Sequence, residues 1–368
     1  MAKFKIENIV KPTIKGIAKY IPGDSPEKNN SKFIKLSSNE SPFEIPKKIV
    51  SSVNKVLRNT NLYPDGDCLL LKKSISERFR LKPNQIICGN GSDDVLSIIC
   101  QTFSREGSEV ICSEYGFIYY PIIAKAAGCK VIIAKTKQLS VNCENILKKI
   151  NKKTKIIFIA NPNNPTGSII FKKDLIKFLD KIPPRIIIVL DGAYSEFIVD
   201  KDYSDGTDLV GKYKNLIITR TFSKIFGLAG LRLGWGYSNK EIISLMERIR
   251  GPFNVNNIAQ HLGSLILKDE LFLKKSIEHN EKWRKYLPKK INELGLKAKT
   301  SHTNFVLVEV DKKKYLKRKI LNDLIKNKII VRDMTSYNLQ NFFRVSIGKD
   351  IHMKKFLKVL KSSLDSQS

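Results

Sequence analysis

The chain has 368 residues, too many for one ordinary core, so two domains are expected. Hydrophobic residues make up 42%, which excludes global disorder, and no run approaches the roughly 18 apolar residues needed to cross a bilayer. The net charge of +31 rests on 53 lysines and 13 arginines; no nucleic-acid-binding motif accompanies it, so it reads as a solvated surface.

Residues 1–35 are polar, punctuated by Pro12, Pro22, Gly23 and Pro26, and read as an N-terminal arm. The opening "MAKFKIENIVKPTIKG" has no apolar h-region, so no signal peptide is expected and the protein reads as soluble and cytoplasmic. Residues 36–256 form the large domain. Strands are expected at Gln85–Cys88, Glu109–Cys112, Lys130–Ala134, Lys155–Ala160, Arg185–Leu190, Leu216–Arg220 and Leu233–Tyr237. Amphipathic stretches such as Asp93–Phe103 and Lys172–Lys181 lie between them. This alternation predicts an α/β domain, and continuous apolar runs predict a mostly parallel, seven-stranded sheet covered on both faces. Residues 257–368 read as a smaller α+β domain: a helical region over Ile258–Leu287, then strands near Asn304–Val310, Ile329–Arg332 and Phe342–Ile347.

Six cysteines fall between residues 68 and 143 with no C-x-x-C pair, several inside apolar runs. They read as buried free thiols of a reducing compartment. The four histidines are scattered, so neither a zinc site nor a histidine-dependent triad is expected.

In an open α/β sheet, ligands bind beyond the carboxyl ends of the strands. After the first strand of the large domain comes "GNGSDDVL", a glycine turn with Ser92 and Asp93 opening a helix. Its N–H groups suit a phosphate, although such a turn is also an ordinary helix start. After Lys155–Ala160 comes "NPNNPTG", a rigid loop rich in amide side chains. Asp191 ends a buried apolar strand, a costly place for a carboxylate unless it meets a cation, with helix capping as the alternative. Thr221, Ser223 and Lys224 follow the sixth strand, with Arg232 eight positions beyond Lys224. An amine able to form a Schiff base, a phosphate cradle and a carboxylate for a ring nitrogen together describe a pyridoxal-phosphate site.

Motif by motif the chain resembles the fold-type-I pyridoxal-phosphate aminotransferases, and among them the histidinol-phosphate aminotransferases. The resemblance runs from "IAKYIPGDS" and "IKLSSNESPF" through "LYPDG", "GNGSDD", "SEYGFIYY", "NPNNPTG" and "DGAY". It continues in "RTFSKIFGLAGLRLGW" and ends at "IIVRDM" and "FFRVSIG". It implies that Lys224 is the Schiff-base lysine and proton shuttle, and that Asp191 keeps the pyridine nitrogen protonated. Asn164 and Tyr194 would hold the 3′ oxygen of the ring, and Tyr115 would stack on its face. Gly91, Ser92, Asp93, Thr221, Ser223 and Arg232 would hold the phosphate. Tyr63 would reach the neighbouring subunit's cofactor, implying a homodimer with shared sites. Arg344 would grip a substrate carboxylate, while Tyr20 and Arg332 help bind the substrate phosphate, with Asn39 also among the substrate-binding residues.

The family usually carries a glutamate where this chain has Gly192, so loss of a hydrogen bond or ion pair behind Asp191 and a less stiff backbone there are expected. The implied reaction is transamination between small molecules, L-histidinol phosphate and 2-oxoglutarate. An aromatic aminotransferase or a threonine-phosphate decarboxylase of the same fold is the nearest alternative. A basic protein that binds anions or nucleic acid is the alternative of another class. Neither nucleic acid nor a membrane is expected as a partner.

Overall fold

The apolar runs of the sequence are strands in the computed structural model, which describes residues 5–6, 9–20 and 33–367. Pro22, Gly23 and Pro26 of the expected arm, and residues 21–25 of "IAKYIPGDS", lie outside the described residues. The first strand, β1 (Ile34–Leu36), joins the smaller sheet. The seven strands of the larger sheet follow in the chain: β2 (Ile86–Gly89), β3 (Glu109–Ser113), β4 (Lys130–Ala134), β5 (Thr154–Ala160), β6 (Ile187–Asp191), β7 (Leu216–Thr221) and β8 (Gly234–Tyr237). Their order is β2-β8-β7-β6-β5-β3-β4. All pairings are parallel except those of β8, which runs antiparallel to both β2 and β7.

Alternation within these runs decides which side chain goes to which face. Ile157 and Ile159 of β5 enter one apolar cluster, while Ile156, Phe158 and Ala160 enter another on the opposite face. Both faces are therefore buried, which is why the runs are continuously apolar. The helix Ser92–Phe103 packs on one face through Val95, Leu96, Ile98 and Ile99, and Asp93 and Asp94 in its first turn complement the helix dipole.

The smaller domain is built on β9 (Lys297–Ala298), β10 (Phe305–Glu309), β11 (Ile329–Asp333) and β12 (Phe342–Ser346), in the order β1-β11-β12-β10-β9. It has a core of its own, from Leu36 through Phe343 to Leu364. The single helical region expected over Ile258–Leu287 is two helices, Asn257–Ile266 and Glu270–Glu293. The break falls where Asp269 accepts from the Phe272 N–H at 3.0 Å and starts the second helix. Ala259, Leu262, Ile266, Phe272 and Leu273 pack into the large domain's core, so that core extends past residue 257. Residues 34–36 cross the other way, adding the edge strand to the smaller sheet. The two domains are thus laced together at both ends of the large one.

Candidate active site

A cavity of about 350 Å³ opens between the domains, beyond the carboxyl ends of the large-sheet strands. Lys224 lies on its wall, half-buried just past β7, with Nζ donating to the Ser38 carbonyl at 3.4 Å. Burial, and then the Arg344 charge, push this amine down from 10.5 to about 8. At neutral pH that raises the fraction of neutral, nucleophilic amine roughly 300-fold.

Asp191 ends β6 and is 4% exposed. Its carboxylate accepts from the Tyr120 hydroxyl at 2.7 Å and from the Ala193 N–H at 3.2 Å. Burial raises its pKa to about 6 against the pull of these hydrogen bonds. A buried carboxylate so held suits a protonated ring nitrogen. Behind it, Arg220 is 2% exposed and takes the space in front of Gly192, where an added Cβ would lie 3.1 Å from the guanidinium. Arg220 pairs with Asp205 at 2.8 Å and stands 3.6 Å from Glu196, so an ion pair is present behind Asp191 although position 192 carries no carboxylate.

The anion cradle follows from two glycines. Gly91, at φ +91°, precedes the helix Ser92–Phe103, and no side chain caps that helix start. A Cβ on Gly234 would sit 2.2 Å from the Ser92 nitrogen, so only glycine lets β8 approach the helix so closely. The N–H groups of the first turn, the hydroxyls of Thr221 and Ser223, and Arg232 converge here. Arg232 donates to Ser223 Oγ at 3.3 Å and to Asp93 Oδ2 at 3.2 Å.

Of the loop asparagines only Asn164 faces the cavity. Asn161 is spent on the backbone of Ile170, and Asn163 on the Tyr115 carbonyl and Thr166. Asn164 Oδ1 accepts from Arg344, which leaves its N–H groups to donate into the cavity. Tyr194 accepts from Asn39 Nδ2 at 2.9 Å; Asn39 is in turn fixed through its N–H and Oδ1 to Ser346. Asn39 thus reaches the site mainly as a support for Tyr194.

Arg332 and Arg344 stand directly opposite each other on β11 and β12, 8% and 5% exposed, and both line the cavity. Like charges at facing positions repel, and the Nε of Arg344 is buried without a hydrogen-bond partner among the described residues. Two guanidinium groups thus face one cavity, a setting that favours an anion. Tyr20, 44% exposed, lies on the same wall.

Two expected residues lie elsewhere. Tyr115, in the turn where the Gly116 N–H donates to the Ser113 carbonyl, packs beside Leu307, Met334 and Leu339. Phe117 and Tyr120 stand on the cavity wall. Tyr63 is 81% exposed and stacks on Phe253 at 4.6 Å, outside the cavity of its own chain. Sequence reasoning missed Tyr120 and Phe117 although both stand in the quoted "SEYGFIYY"; Phe117 lies just before the helix Tyr119–Ala126 and Tyr120 in its first turn, so no helical spacing marked the two together.

These groups fit the pyridoxal phosphate implied by the sequence: an open anion cradle, a buried carboxylate for the ring nitrogen, donors for the ring oxygen, and an amine near neutrality. Among the described residues no cluster of metal-binding side chains occurs, and no helix is long and apolar enough to cross a membrane.

Comparison with known proteins agrees with this geometry. The family model described as aminotransferase class I and II matches residues 31–360. A histidinol-phosphate aminotransferase of Pelagibacter ubique is 39% identical over 365 residues, covering 98% of this chain and 97% of that one. A histidinol-phosphate aminotransferase of Mannheimia succiniciproducens is 40% identical over 318 residues, 86% of each chain. Among solved structures, the histidinol-phosphate aminotransferase from Clostridium acetobutylicum is 28% identical with a TM-score of 0.84, covering 90% of this chain and 99% of that one. The enzyme from Sinorhizobium meliloti, in complex with pyridoxal 5′-phosphate, has a TM-score of 0.87 at 23% identity and shares the fold over 98% of each chain. The chain belongs to the class I and II aminotransferase family.

Proposed function

We propose that this protein is a pyridoxal-phosphate-dependent transaminase that converts L-histidinol phosphate and 2-oxoglutarate to imidazole acetol phosphate and L-glutamate. When bound, pyridoxal phosphate supplies an aldehyde that exchanges its lysine partner for the substrate amine, and a ring that accepts the electron pair left at Cα. The chain's own residues supply the rest. Lys224, neutral in part at physiological pH, takes the proton from Cα and gives it back on the other side of the exchange. Asp191, fixed by Tyr120 and the Ala193 N–H, would pair with the ring nitrogen. Tyr194 and Asn164, held by Asn39 and Arg344, would hydrogen-bond the ring oxygen.

The observation that carries the substrate assignment is the facing pair Arg332 and Arg344, buried beside Lys224. A guanidinium fork matches phosphate and carboxylate alike, so one cavity can take a phosphate monoester in one half-reaction and a dicarboxylate in the other. The test is turnover with three amines, each with 2-oxoglutarate. Preference for histidinol phosphate supports the assignment. Preference for phenylalanine moves the protein to the aromatic aminotransferases, and release of carbon dioxide from threonine phosphate moves it to the decarboxylases.

The same reading includes a homodimer. Tyr63 stacks on Phe253 in an exposed groove with Leu62, Pro64 and Pro252, an apolar surface suited to a second copy whose site Tyr63 would complete. The cytoplasm is the proposed location, supported by five buried cysteines and none in a disulfide.

A further inference from the structure

Lys35 and Glu40 line the same cavity and have no part in the chemistry above. Lys35 Nζ donates to Glu40 Oε1 at 2.8 Å, and both side chains are partly exposed to the cavity mouth. Their placement is fixed by the fold. Lys35 is the middle residue of β1, paired with Ile330 on β11, two residues before Arg332. The chain then bends at Asn39, in the left-handed region at φ 56°, whose N–H donates to Ser346 Oγ and whose carbonyl accepts from Asn304. Glu40 leaves this pinned corner close enough for its charge to act on Lys224.

The donor of the proposed reaction carries three groups: a phosphate, an amine and an imidazole. Arginines serve the phosphate and the Lys224 region serves the amine. The imidazole offers an N–H, and a full positive charge when protonated, so it needs an acceptor. Three acids line the cavity among the described residues: Asp93, Asp191 and Glu40. Asp191 is held by Tyr120 and faces the ring nitrogen, and Asp93 is paired with Arg232 in the phosphate cradle. Glu40 is the acid left over. The other substrate, 2-oxoglutarate, brings a second carboxylate into the same space and would be repelled by a bare Glu40.

We infer that Glu40 accepts the imidazole N–H of the amino donor, and that Lys35 neutralises Glu40 when the dicarboxylate occupies the cavity. The inference rests on the substrate assignment above. It makes Glu40 and Lys35 a specificity pair: a donor side chain without an N–H leaves Glu40 desolvated and unsatisfied, the condition under which a site discriminates strongly.

The two half-reactions of the holoenzyme, followed separately in wild type, Glu40→Gln, Glu40→Asp and Lys35→Met, test it. Binding of imidazole acetol phosphate and of 2-oxoglutarate to each holoenzyme, measured by calorimetry without turnover, gives an independent readout. Glu40→Gln is expected to weaken binding of both imidazole compounds roughly ten- to hundredfold, chiefly in KM, while 2-oxoglutarate, facing a Lys35 freed of its partner, binds as tightly as before or more tightly. Glu40→Asp keeps the acceptor and restores part of the loss. Lys35→Met is expected to weaken 2-oxoglutarate about tenfold and to spare the imidazole compounds. Retained visible absorbance of the lysine-bound cofactor shows that each variant is folded. Equal effects of Glu40→Gln on both half-reactions, or none on either, overturn the inference while the wild type still turns over histidinol phosphate. A wild type inert toward that donor overturns the substrate assignment as well.

Discussion

At the scale of single residues, the site is a set of groups moved from their ordinary ionisation. Lys224 is pushed to about 8, first by burial and then by Arg344. Only the neutral amine attacks an aldehyde, so the rate at which the apoenzyme captures pyridoxal phosphate should rise with pH and level off above about 8. Arg344→Gln removes a positive charge and should move that midpoint upward, a shift that a stopped-flow pH series reads directly. Asp191, raised to about 6, is ionised above that value and protonated below it. Tyr120→Phe deletes a hydrogen bond that favours the charged form, so the carboxyl should climb further. Cofactor affinity should then fall first between about pH 6 and 7; an unchanged pH dependence in equilibrium titrations would remove Tyr120 from the account. Lys224 and Asp191 were legible in the sequence because each is a charged residue at the end of an apolar strand. Phe117 and Tyr120 were not, because nothing local says that the chain after Gly116 brings these two aromatics to the cavity wall.

At the scale of elements, the large sheet was legible almost strand by strand, since a strand buried on both faces writes itself as an unbroken apolar run. Its pairing was not: β8 lies between β2 and β7 and antiparallel to both, a non-local arrangement. The reason Gly234 must be glycine comes from that placement, which sets it against the start of the helix Ser92–Phe103. Gly234→Ala should separate strand from helix, cost about 1–3 kcal/mol, and weaken cofactor retention together with stability in a urea titration. The ion pairs of Arg220 beside Gly192 were likewise hidden, because Asp205 and Glu196 reach Arg220 only through the folded chain. Replacing Arg220 by methionine strands two carboxylates in the interior, and a loss of roughly 3–5 kcal/mol is expected. A urea midpoint equal to wild type would show that the two acids find another partner.

For the whole molecule, the cleft between two domains brings β1, β11 and β12 of the smaller sheet against the strand ends of the larger one. That is how Arg332 and Arg344, far along the chain, come to stand beside Lys224. Their chemistry was readable from motif, but their face-to-face pairing appears only in the register of β11 with β12. The proposed dimer extends the same logic to a second copy. Tyr63→Phe and Lys224→Ala homodimers should each be defective, and refolding them together should restore activity through hybrids with one intact site. No recovery would mean that Tyr63 serves its own chain or none.

The central claim, that Lys224 serves an amine exchange with histidinol phosphate as donor, is tested most directly by a single half-reaction. The purified holoenzyme is mixed rapidly with L-histidinol phosphate in the absence of any keto acid, and the visible band of the lysine-bound cofactor is followed. The account predicts that the band is lost in one turnover and returns on addition of 2-oxoglutarate. A band that persists with histidinol phosphate, yet disappears with another amine, would contradict it.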